Sequence, residues 1–288
     1  MRSLAVAGLV LALALAGAAG SGTRAPAASA EVFSGLATWV DIYDSYYRSP
    51  EATAASIAAR GVRTVFAETA NDRSQVDVVQ PGALGRFVDA LHSRGIAVVA
   101  WYLPGYDQPA RDLRRTRAML SFRTPTGGAF DGVALDIESL RLKNVGLRTT
   151  RALALARRLD LEAGETPIAA ITYPPRALER HAGWWPRFPW AELAPLVDAW
   201  VPMAYTGGGF RGYDATYGYV TRSLRLLRTA IGADLPVHVA GGVADRMNAE
   251  ELKAFTDAVA DAGETGWSLY DFQTTRAAAW NAVAVLTG

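Results

Sequence analysis

The sequence predicts an α/β fold, a single (β/α)8 TIM barrel, on three observations. Eight short apolar runs of strand-like composition start about 25 to 37 residues apart along the chain. The stretches between them have the spacing of amphipathic helices, as in 82–94, 147–163, 217–231 and 249–262. Gly61, Gly95, Gly164, Gly232 and Gly263 each stand where a helical pattern ends and a strand-like run is about to begin. A helix closes most readily through left-handed backbone, which glycine adopts without strain. Eight such units in about 250 residues match a closed barrel. A doubly wound open sheet is the competing α/β arrangement, but no Gly-rich phosphate loop follows the first run.

In chain order the runs are 37–44 (ATWVDIYD), 62–70 (VRTVFAETA), 96–105 (IAVVAWYLPG), 130–139 (FDGVALDIES), 167–174 (PIAAITYP), 199–206 (AWVPMAYT), 235–242 (LPVHVAGG) and 265–273 (TGWSLYDFQ). Ahead of them, residues 4–20 are apolar after a basic start, and Ala28-Ser29-Ala30 offers the small residues a signal peptidase reads. The expected organisation is a secretory signal over 1–30 and one barrel domain over 31–288, exported as a monomer. Nothing after the first run is apolar for long enough to span a bilayer.

Composition narrows the function. Without residues 1–30 the chain has 27 basic against 28 acidic residues, a net charge of −1. It carries no electrostatic footprint for nucleic acid or an anionic membrane. Zero Cys excludes a thiolate nucleophile, a disulfide framework and Cys-ligated zinc. Three His residues make a multi-His metal site a poor expectation, and no metal or organic cofactor is anticipated.

Catalytic groups of such a barrel collect where the strands end. The polar groups closing the runs are Asp41 and Asp44, Glu68, Tyr102, Asp136 and Glu138, Tyr173, Tyr205, and finally Trp267, Tyr270, Asp271 and Gln273. Carboxylates and aromatics dominate, with no Lys or Arg among them, which suits a neutral polyhydroxylated substrate. Asp136 and Glu138 are two apart, so they share one strand face roughly 7 Å apart at Cα. Two carboxylates crowded into a poorly solvated mouth repel, and one of them should hold its proton. His238 reads better as a core residue. The loop 181–190, with Trp184, Trp185, Phe188 and Trp190, reads equally as a glycan platform or a small core. Gly207, Gly208 and Gly209 read equally as a hinge or a turn.

The run Asp131-Gly132-x-x-x-Asp136-x-Glu138 resembles the fourth-strand motif of family 18 glycoside hydrolases, the chitinase class. Met203-Ala204-Tyr205 resembles the M-x-Y of that family's sixth strand, and Trp267 its floor tryptophan. The family usually has another Asp where this chain has Ala134, and its third-strand S-x-G-G is replaced by AWYLPG. A weaker resemblance links Asp41, Glu68, the Asp136/Glu138 pair and Gln273 to family 25 lysozymes. The first resemblance implies hydrolysis of a β-linked, N-acetylated polysaccharide. Glu138 would be the general acid, Asp136 and Tyr205 would hold the acetamido group, and Trp267 would stack under the sugar. Asp41, Glu68, Tyr102, Tyr173, Met203 and Asp271 complete the expected substrate-binding set. A lysozyme-like peptidoglycan hydrolase and a barrel that binds glycan without cutting it stay open.

Overall fold

Side chains alternate across a strand, so a sheet curled into a ring sorts them into an inner and an outer set. The computed structural model describes residues 30–232 and 234–287. The expected signal segment, save Ala30, lies outside the described residues. Eight parallel strands follow: β1 (Gly35–Val40), β2 (Thr64–Asn71), β3 (Ala97–Leu103), β4 (Gly132–Ile137), β5 (Ile168–Thr172), β6 (Ala199–Pro202), β7 (His238–Gly241) and β8 (Gly266–Leu269). Around them lie α1 (Pro50–Ala58), α2 (Pro81–His92), α3 (Pro109–Ser121), α4 (Val145–Ala163), α5 (Pro175–Arg180), α6 (Trp190–Leu193), α7 (Tyr213–Ile231), α8 (Ala249–Asp261) and α9 (Ala277–Thr287).

Sequential strands pair, β1 joins β8, and β6 meets β7 through the single bridges Trp200–Val237 and Met203–Ala240. The five helix-closing glycines all take positive φ, from 59° at Gly164 to 87° at Gly232. The expected barrel is the observed one. No described helix is long and apolar enough to cross a membrane.

The outer set (Val65, Val98, Leu135 and Trp200 among others) packs under the helices. The inner set is aromatic: Trp39 stacks on Phe66 at 4.4 Å and meets Trp101 edge-on at 5.8 Å. Trp39 donates its indole N–H to Ser268 Oγ at 2.8 Å, so its polar atom is satisfied in the core. Phe33, from the helical turn Ala30–Phe33, is fully buried with this inner set. Each such buried aromatic contributes about 1.5–3 kcal/mol. His238 Nδ1 donates to the Phe33 carbonyl at 2.8 Å, and burial lowers its pKa to about 4. It is a neutral core residue, with no place in the cleft.

Candidate active site

The two faces of β4 explain the centre of the site. Val133, Leu135 and Ile137 face the helix layer, while Ala134 joins the inner set. By that parity Asp136 and the following Glu138 face inward, and both line a cavity of about 390 Å³. Ala134 beneath them leaves a pair of carboxyls on this strand. Asp136 is the deeper of the two, 5% exposed, and its Oδ1 has no hydrogen-bond partner. Burial drives its pKa well above the carboxylate range, and the charges of Glu138 and Glu68 add to the rise. Burial also raises Glu138. Carboxyls this crowded hold a proton more tightly than solvated ones, the direction a general acid needs.

Glu68 enters the same cavity from β2, beside a register shift between Glu68 and Ala70 against β3. Its Oε2 accepts from the Ile42 amide at 3.1 Å, and burial pushes its pKa to about 7, helped by the charges of Asp41 and Asp44. Asp41 lines the cavity just past β1. Its Oδ2 accepts from the Tyr270 hydroxyl at 2.9 Å and its Oδ1 from the amides of Tyr43 and Asp44. Met203 and Tyr205, at the end of β6, close the opposite wall. The Tyr205 ring lies 5.7 Å from that of Tyr270. Of the residues expected in the cleft, Asp41, Glu68, Asp136, Glu138, Met203 and Tyr205 line this one cavity.

Four expected binding residues do not line the cavity. Trp267 is a correction: it pairs with Leu36 and Val239, both outward-facing, and its ring meets Phe255 of α8 at 6.1 Å. Strand parity turns it into the helix layer and turns Ser268 and Tyr270 inward instead. Tyr102 is a second correction, for the same reason. Its hydroxyl donates to buried Asp112 of α3 at 2.6 Å, and its neighbour Trp101 faces the cavity. Tyr173 stands behind the site and donates to the Glu138 carbonyl oxygen at 2.9 Å, which fixes the backbone carrying that residue. Asp271 closes a turn by accepting from the Thr274 amide at 2.8 Å.

Asp41, Asp44 and Asp271 bring carboxylate oxygens within 4.8 Å of one another, near enough for a cation to bridge. Those oxygens already accept from amides and from Tyr270, and burial raises Asp44 to about 7, so protonation relieves the crowding. The cleft aromatics are Trp101, Tyr205, Tyr270 and the exposed Tyr43, whose hydroxyl accepts from Asn71 Nδ2 at 3.0 Å. Trp101, Tyr43, Asn71 and Asp72 carry no mark in the sequence that points to the cleft. The second strand-like run stops one residue short of Asn71, and only the register of β3 against its neighbours shows that Trp101 faces inward.

The loop 181–190 is mostly a small core. Trp185 and Phe188 are buried, with Trp185 Nε1 donating to Thr149 Oγ1 at 2.9 Å and Arg148 4.3 Å above its ring. Trp190 is half-buried, and Trp184 is the exposed one, stacked on His181 at 4.2 Å. Gly207 is a packed turn: a Cβ there would lie 2.3 Å from the Val243 carbonyl oxygen. The rim also holds a cation, since Arg73 lines the cavity, contrary to the expected absence of Lys and Arg.

No protein-family model and no curated protein matches the chain by sequence. Among solved structures the chain is similar to an endo-1,4-β-mannanase from Thermotoga petrophila, at TM-score 0.63 and 10% identity over 83% of this chain and 88% of that one. It is similar to a chitinase from Chromobacterium violaceum, at 0.61 and 14% over 87% and 98%. The spore cortex-lytic enzyme SleL from Bacillus cereus follows at 0.62 and 8%, over 87% and 74%. At such identities the likeness establishes the fold: the chain is a (β/α)8 barrel of the architecture that these three enzymes share.

Proposed function

We propose that the protein is a secreted glycoside hydrolase that cleaves a β-linked, N-acetylated polysaccharide with Glu138 as general acid. The observation that carries the reading is the Asp136/Glu138 pair, raised in pKa and open to one acid-rich cavity at the strand ends. The structural likeness to a chitinase, a mannanase and a spore cortex-lytic enzyme supports the same class.

In the proposed reaction Glu138 gives its proton to the glycosidic oxygen as the C–O bond breaks. The acetamido oxygen of the same sugar attacks the anomeric carbon, and Asp136 holds the acetamido N–H. Water then opens the cyclic intermediate, and the Glu138 carboxylate takes the water's proton, restoring the acid. Tyr205, beside the pair, donates to the acetamido oxygen. Tyr270 and Trp101 offer aromatic surface to the sugar.

A second reading rests on Glu68, which shares the cavity with a pKa of about 7 and would serve as acid in a lysozyme-like site. The test is a substrate screen of the secreted chain. The expected result is reducing-end release from chitin oligomers or peptidoglycan and none from neutral glucans. Glucan cleavage alone would overturn the N-acetyl requirement, and glycan binding with no cleavage of any substrate would identify a binding barrel.

A further inference from the structure

Beside the acidic cleft lies a second cavity of opposite character, of about 490 Å³. Arg73, Arg111, Arg114, Arg115 and Arg141 line it, with Asp72 as its one lining acid. Asp72 and Arg73 line both cavities, so the two are contiguous. The loops after β2 and β4 and the first two turns of α3 bring these residues together, which hides the cluster in the sequence.

Part of this charge is structural. Arg115 is 2% exposed and donates to the carbonyls of Asn71 and Ser74, while its Nε lies 3.8 Å from Asp77 Oδ1. Arg114 pairs with Asp77 at 2.7 Å. The rest is available. Arg73 has no ion pair or side-chain hydrogen bond among the described residues and is exposed. Arg141 is 45% exposed and spans Asp72 at 3.1 Å and Asp107 at 2.8 Å. Those bonds occupy only part of its five-donor fork. Arg111 reaches Asp107 at 2.9 Å, and its buried Nε makes no hydrogen bond, lying 3.8 Å from Asp112 Oδ1. Guanidinium forks match the planar geometry of a carboxylate. Several of them around a partly enclosed space favour an anion that neutral glycan cannot supply.

We infer that this cavity is an anion subsite that takes a carboxylate carried on the glycan, one or more sugars away from the bond that is cut. The inference rests on the hydrolase reading and sharpens it: the substrate class becomes an acidic, N-acetylated polysaccharide. The acidic cleft receives the neutral N-acetyl sugar, and Arg73, Arg111 and Arg141 receive its charged neighbour.

The test is calorimetric binding to the full chain carrying Glu138→Gln, which prevents turnover. The probes are a β-linked oligosaccharide alternating N-acetylglucosamine with glucuronate, its carboxyl-reduced neutral form, a sulfated analogue, and a chitin oligomer. A charge-assisted pair predicts at least about tenfold tighter binding of the carboxylated probe than of its reduced form. That advantage should shrink at high ionic strength. Arg141→Gln, an exposed change, should remove most of the advantage and leave chitin-oligomer binding unchanged. Arg73→Gln should weaken the carboxylated probe as well. Equal gain from the sulfated probe supports the subsite and widens it to oxyanions generally. Equal affinity for the carboxylated and reduced probes, or an advantage that survives Arg141→Gln, overturns it. If the acidic probe binds through these arginines while wild type cuts nothing, the subsite stands and the hydrolase reading falls. If no probe binds, both fall.

Discussion

Asp44 and Glu68 show how burial sets chemistry one residue at a time. Both carboxyls rise to about 7 from ordinary values of 3.8 and 4.5, chiefly because burial penalises the charged form. A raised folded-state value means the native protein holds the proton more tightly than the unfolded chain. That contribution is complete below the unfolded values and is lost as pH rises through about 7. Between those limits each group costs on the order of 1 kcal/mol of stability per pH unit. His238, lowered to about 4, acts in the opposite sense over the acid part of this window. Comparison with Asp44→Asn isolates the carboxyl, because Asn keeps the acceptor for the Asp41 amide and cannot ionise. The Tm of Asp44→Asn should gain on wild type as pH rises from about 5 to about 8. A constant difference in Tm would show that Asp44 does not carry the raised value.

At the scale of the strand, parity decides which side chains meet the substrate. Asp136 and Glu138 announced their face because acids on the helix-facing side of a buried strand have no solvent. The fold was legible for a related reason: eight apolar runs and five closing glycines repeat a single local unit. Strands β3 and β8 offered no such signal. Trp101 and Tyr102 are adjacent and both aromatic, and Trp267 of β8 and Tyr270 just after it fall on opposite faces. Composition does not say which aromatic enters a barrel; register against the neighbours does. Buried Asp112, which accepts from Tyr102, sits on another element and cannot be read locally. The consequence is measurable. Trp267→Ala should cost roughly 1–3 kcal/mol, less than a fully buried Trp, and leave KM unchanged. Trp101→Ala should raise KM. A raised KM in Trp267→Ala with unaltered stability would return that side chain to the cleft.

For the whole molecule, ring closure is uneven. β2 and β3 share a seven-pair register, whereas β6 and β7 meet through two isolated bridges. Local opening follows the weakest hydrogen bonding, so amides of β6 and β7 should exchange with solvent faster than those of β2 and β3. Uniform protection around the ring would contradict this. The seam carries Met203 and leads into Tyr205, so one wall of the cleft stands on the less secured part of the barrel. The opposite wall holds Glu68, and β4 supplies the acid pair between them. The claim on which the whole account turns is that this assembly is built to deliver a proton from Glu138. Turnover of an N-acetylated β-linked oligosaccharide by wild type and by Glu138→Gln tests it most directly. General acid catalysis is worth roughly 10²–10⁴-fold, so kcat should fall by at least that order while glycan binding survives. Turnover that persists in Glu138→Gln would contradict the account and pass the role to Glu68.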